Sequence, residues 1–255
     1  MGIVYHGSKE HNLKKIAPRK STHGTYVYAT QDKALAIHFS KRCGDDLTYG
    51  IGNFSKENGP WELIEKIPGA FEKMYSNASS LYTLNDATFK DIKTGFNEVV
   101  SETPVDVIDE EYYDNVYEAI LNLEREGLIK IYRYPNKPKG VPVDSSDILD
   151  KWRYYKQNLG REFRWYEFDR LFFLHPYLLD KINELANEFQ YDFHYEERDL
   201  IAIFQKEVDV QLNGLQNERY IDCAYQSICD TFPLIAEDIT KIYTEYTNQI
   251  NQKKL

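Results

Sequence analysis

Three short apolar segments each carry a polar side chain able to do chemistry. They are Val4-Tyr5-His6-Gly7-Ser8, Thr25-Tyr26-Val27-Tyr28-Ala29-Thr30 and Asn97-Glu98-Val99-Val100-Ser101. His6 offers an imidazole that can hydrogen-bond hydroxyls. Gly7 has no side chain, so a planar ligand can approach its backbone N–H and C=O closely. Tyr26 and Tyr28 offer flat rings with polar tips. Glu98 lies between Phe96 and Val99-Val100, an apolar setting in which a charge costs free energy unless partnered. An imidazole, an aromatic ring and a carboxylate together suit chemistry on a nucleoside. Taken singly, each is ordinary. A histidine beside a glycine is more often a satisfied polar residue of the fold, tyrosines mostly pack, and a lone glutamate often marks a solvated strand end.

The segments can only meet if the elements around them form a sheet. Residues 3–5 and 26–30 read as strands, the second with period-two alternation. Tyr26 and Tyr28 then share one face and Val27 takes the other. A helical pattern covers residues 33–41, with Thr30 as a candidate cap. Residues 61–67, 80–84, 96–101 and 128–132 read as further strands. Residues 109–126 read as a helix ended by Gly127, with Asp106, Asp109, Glu110, Glu111 and Asp114 as its solvated acidic start. Three prolines and a glycine in residues 135–142 place a boundary there. Beyond it come amphipathic helical patterns at 176–189, 199–212, 220–231 and from Pro233 onward, with a polar tail from 248 expected to fray. The expected organisation is α+β: a domain of residues 1–140 and an all-helical accessory domain of residues 141–255.

Composition narrows the function classes. The chain has 255 residues, 42% of them hydrophobic, with 21 tyrosines and a net charge of -10. A uniformly acidic surface is repelled by phosphate backbones, which disfavours broad nucleic-acid binding. Lys14, Lys15, Arg19 and Lys20 form a local basic cluster read as a solvated loop. Three cysteines, Cys43, Cys223 and Cys229, lack paired spacing, so neither a disulfide framework nor a zinc site is expected. His11, His23 and His38 are scattered without metal-ligand spacing. The expectation is a cytoplasmic protein without a signal peptide or membrane span.

The ordered trio resembles the ADP-ribosyltransferase superfamily, in particular its His-Tyr-Glu branch of poly(ADP-ribose) polymerase-like enzymes. The resemblance covers roughly the first 134 residues. It rests on His6-Gly7-Ser8, on Tyr26-Val27-Tyr28-Ala29-Thr30 with its following helix, and on Asn97-Glu98. The chain departs from the family at two points. Aligned on Ala29, Val27 stands where the family tyrosine belongs, and no aromatic follows Glu98. Phe96 two places before Glu98 disfavours the arginine-directed branch, which has a second glutamate there.

The resemblance implies a split-sheet fold that binds NAD as substrate without a glycine-rich loop. It implies that His6 holds ribose hydroxyls on the adenosine side and that Gly7, with Ser8 beside it, holds the nicotinamide carboxamide. Tyr26 or Tyr28 would stack on nicotinamide, Tyr28 favoured because it precedes Ala29-Thr30, with Phe39 or His38 as alternates. Glu98 would stabilise the oxocarbenium-like transition state. The acceptor, whether protein, nucleic acid or small molecule, stays open, and a toxin or defence role is the family-level expectation. Two rivals remain: a degenerate NAD or ADP-ribose binding module, motivated by Val27, and an RNA-end phosphotransferase, disfavoured by the lack of an arginine-rich surface.

Overall fold

The computed structural model describes residues 2–21, 23–55, 59–94, 96–214 and 218–253. It is a mixed α+β chain. In order, the elements of the first half are β1 (Ile3–Ser8), β2 (Lys15–Ile16), β3 (Arg19–Ser21), β4 (Gly24–Thr30), α1 (Lys33–Phe39), β5 (Tyr49–Gly52), β6 (Trp61–Glu65), α2 (Ala70–Tyr75), β7 (Ser79–Asn85), β8 (Glu98–Ser101), β9 (Val105–Tyr113), α3 (Val116–Arg125) and β10 (Ile129–Tyr132). Then come α4 (Ser146–Leu159), α5 (Trp165–Leu174), α6 (Leu179–Glu188), α7 (Asp199–Leu212), α8 (Ile221–Thr231) and α9 (Ala236–Lys253). No helix among the described residues is long and apolar enough to cross a membrane.

The chain divides into two compact units, and neither is continuous. The first comprises residues 1–43, 58–62 and 71–131; the second comprises 44–57, 63–70 and 132–255. This replaces a single cut at residue 140. Nor is the second unit all-helical, since its early segments include β5. The long-range contacts of residues 44–57 and 63–70 decide their membership, and nothing local in their sequence announces it.

The first unit is built on an antiparallel sheet with strand order β2-β9-β7-β1-β4-β3, and β8 adds to β4. Alternation along β4 does what the sequence pattern requires. Val27 and Ala29 enter a core with Val4, Ile16, Tyr82, Leu84 and Val105. Tyr26 and Tyr28 fall on the other side, their rings edge to face at 5.9 Å. The second unit's interior is aromatic and aliphatic, with Phe168, Phe172, Phe173 and Phe204 fully buried.

Local chemistry sets several boundaries. Asp32, not Thr30, caps α1: its carboxylate accepts from the Ala34 and Leu35 N–H groups, while the Thr30 hydroxyl accepts from Asp32 N–H. The carboxylate reaches two free donors at once, and it carries the charge that suits a helix start. Gly127, at φ +74°, closes α3 in the left-handed conformation that glycine adopts freely. The acidic run at 106–111 is not a helix start but strand β9, laddered to β7 from Ser79↔Tyr113 to Leu84↔Val107. The basic cluster at 14–20 is likewise partly strand, in β2 and β3, with Lys15 paired to Asp106 and Arg19 to Glu10. The polar tail continues as helix to Lys253, and residues 254 and 255 lie outside the described residues.

Three histidines, His38 and His175 buried and His6 half-buried, carry a consequence for stability. Burial lowers the pKa of His6 and His38, and pushes His175 down to about 4. Each holds its proton less readily when folded than when unfolded, so below about pH 6.5 the unfolded chain binds more protons than the folded one. Stability therefore rises with pH across that window and falls as pH drops, for His175 down to its folded value of about 4. Thermal unfolding followed between about pH 7 and pH 5 should show a falling midpoint, before most carboxylates titrate. His175→Gln should flatten the slope, because an amide takes up no proton there. A midpoint independent of pH in that range would contradict the assignment.

Candidate functional site

The site begins where the ladder between β1 and β4 stops. Their register is confined to Tyr5↔Thr30, whereas β1 stays paired with β7 as far as Ser8↔Ser80. Beyond Tyr5 the His6 side chain bridges the two strands: Nδ1 lies 2.7 Å from the Tyr28 carbonyl oxygen. A carbonyl only accepts, so Nδ1 carries the proton. Desolvation lowers the His6 pKa, and the bond to Tyr28 opposes that shift more weakly. The ring is neutral near pH 7, and its Nε2 is an acceptor.

Thr30 faces Tyr5 across one edge of β4 and Glu98 across the other. This register sets Glu98 at the start of β8, one strand removed from β1. Its Oε2 accepts from the Thr94 hydroxyl at 2.8 Å.

These elements enclose a cleft of about 380 Å³ lined by His6, Gly7, Tyr28, Phe39 and Glu98, with Ser21, His23, Thr94 and Phe96 among the other walls. That volume lies within the range of small-molecule sites. Phe39 and Phe96 meet edge to face at 5.6 Å, so one wall is aromatic. An adjoining hollow of about 310 Å³ shares His6, Gly7, Tyr28 and Phe39. Ser8 and Tyr26 line this second lobe and not the first. Its rim is basic, with Lys9, Lys15, Arg19 and Lys41. On Glu98's other flank lies an open hollow of about 600 Å³ lined by Asp32, Asp91, Lys93 and Asn97. Glu98 borders both that hollow and the cleft.

The structure thus brings together residues from segments that lie far apart in sequence, and it distinguishes the two tyrosines. Tyr28 shares the cleft with Glu98; Tyr26 does not. Val27 is 1% exposed and belongs to the core. His38 is buried against the Tyr75 hydroxyl and is no wall of the cleft. Gly7 is needed for a reason other than ligand access. A Cβ there would stand 2.2 Å from the Ala36 carbonyl oxygen and 3.1 Å from the Ser40 nitrogen. The missing side chain lets α1 lie against β1.

Some lining residues gave no signal in the sequence. His23 reads as one of several scattered histidines, yet it lines the cleft. Lys41 reads as the last residue of a helical run. It sits just past α1, its ammonium 5.3 Å from the Phe39 ring centroid. Burial pushes its pKa down to about 8, partly opposed by the charges of Cys43 and Glu98. Ser21 and Thr94 belong to no motif: Ser21 is brought here by the pairing of β3 with β4, and Thr94 is held by its bond to Glu98. No group of three or more His, Cys, Asp or Glu side chains among the described residues is placed to hold a metal ion. No family model, curated protein or solved structure matches the chain.

Proposed function

We propose that the protein transfers ADP-ribose from NAD to an acceptor, on an ADP-ribosyltransferase-like fold. The observation that carries this reading is the convergence of His6, Tyr28, Phe39 and Glu98 in one cleft beside a basic lobe. The residues present fit the substrate. The aromatic wall of Tyr28, Phe39 and Phe96 suits the nicotinamide ring. The neutral His6 ring presents an acceptor to ribose hydroxyls. The lysines and arginine of the adjoining lobe suit a pyrophosphate.

In the proposed reaction the bond between the nicotinamide nitrogen and the ribose C1′ breaks, and nicotinamide leaves with the electron pair. Positive charge develops on the ribose, where the Glu98 carboxylate stabilises it. An acceptor nucleophile then bonds to C1′ and gives up its proton, with Glu98 as the base. The hollow on Glu98's other flank offers the acceptor a route in. The rival reading, a binding module without catalysis, drew on Val27 at the place of the family tyrosine. With Val27 in the core and Tyr28 in the cleft, that motive loses its force.

Incubation of the full chain with labelled NAD and cell lysate tests the proposal. Nicotinamide should be released, and the label should pass to a fraction that protease digestion, nuclease digestion or neither then dissolves. NAD bound in the cleft without release of nicotinamide would favour the binding module instead.

A further inference from the structure

A second concave site lies wholly within the second unit. It is a hollow of about 550 Å³ between α4, α5 and α7, closed by residues 45–47. Two rings at its border are largely open to solvent: Trp165 is 58% exposed and Tyr166 44% exposed. Arg161, Arg170, Lys206 and Arg219 also line it. In a chain of net charge -10, three guanidiniums and an ammonium around one hollow are a marked local concentration.

Each cation is already held. Arg161 pairs with Glu167 at 2.5 Å, Arg170 with Asp45 at 3.0 Å, Lys206 with Asp169 at 2.9 Å, and Arg219 with the buried Glu207. These pairs fix the side chains before any ligand arrives, so little further ordering is needed on binding. They do not use every donor. Nη1 of Arg170 is buried and has no hydrogen-bond partner, which is costly for a charged group.

The chemistry of the lining selects a class of ligand. The Lys206 ammonium lies 4.0 Å from the Trp165 ring centroid. A cation on one face leaves the opposite face for an electron-rich heterocycle. Carboxylates and guanidiniums side by side match a heterocycle that has both donor and acceptor edges. The four cations of the lining are balanced by Asp45, Asp46, Glu167 and Glu207. That balance suits one phosphate on an arginine, not a polyphosphate.

We propose that this hollow binds a purine nucleoside monophosphate, with the base stacked at Trp165 and Tyr166 and the phosphate on one of the arginines. The inference does not depend on the transferase reading.

Calorimetry of the full chain with GMP and with AMP tests it, with ribose 5-phosphate as the probe for the phosphate alone. At least one nucleotide should bind, and ribose 5-phosphate should bind far more weakly. Trp165→Ala should weaken binding about tenfold, in line with the loss of one base–aromatic stack. Trp165 is exposed, so this variant should fold, and Trp165→Phe should restore most of the affinity. Tyr28→Ala, in the first unit's cleft, should leave the nucleotide affinity unchanged. The proposal is overturned by no binding of either nucleotide, by equal binding of ribose 5-phosphate, or by wild-type affinity in Trp165→Ala. Loss of binding in Tyr28→Ala would also overturn it, by assigning the nucleotide to the cleft.

Discussion

Glu98→Gln lowers the rate of nicotinamide release by about 10²–10³-fold while NAD binding stays within a few-fold of wild type. Glutamine keeps the length and shape of the side chain, and its amide can still bond the Thr94 hydroxyl that now donates to Oε2. The ladder at Thr30↔Glu98 is made by backbone and does not change. What disappears is the negative charge. In the ground state the ribose is neutral, so binding loses little. In the transition state the ribose is cationic, so the loss falls on kcat and not on KM. Steady-state kinetics of nicotinamide release, paired with calorimetric Kd values for NAD, separate the two. A glutamine variant that turns over at the wild-type rate would sink the transferase mechanism and leave the binding module as the better account.

Gly7→Val should cost about 3 kcal/mol of stability or more and abolish ligand binding in the cleft. The obstruction is backbone, the Ala36 carbonyl and the Ser40 N–H, and backbone cannot swing aside as a side chain would. Relief requires α1 to lift from β1. Since α1 ends in Phe39 and leads into Lys41, the aromatic wall and the basic lobe move with it. Gly7→Ala should show the same direction with a smaller effect. Denaturant unfolding gives the stability, and NAD titration of whatever fraction folds gives the binding. A valine variant as stable as wild type would show that α1 packs differently from the arrangement described.

Much of the local structure is legible in the chain itself. Alternation in residues 24–30 assigns Val27 and Ala29 to one face and the two tyrosines to the other, because a strand has no other way to place them. Helical spacing marks Asp199–Leu212 at its observed bounds. Gly127 marks the end of α3 because few other residues adopt its φ at low cost. His6, Tyr28 and Glu98 could be named as candidates because each is a polar group in an apolar strand.

What the chain alone left undecided is everything that depends on partners far away in sequence. Residues 105–113 have acidic side chains that suit a helix start, but their N–H and C=O groups are taken by β7, and the ladder overrides propensity. The choice between Tyr28 and Tyr26 turns on a cleft whose opposite wall is set by the pairing of β4 with β8. Gly7 owes its role to Ala36 and Ser40, a helix away. The membership of residues 44–57 and 63–70 in the second unit follows from long-range contacts alone. Period, capping and turn chemistry act between neighbours and can be read from neighbours. Register, burial and the meeting of side chains in a cleft are set by the free energy of the whole packed chain, and only the tertiary structure decides them.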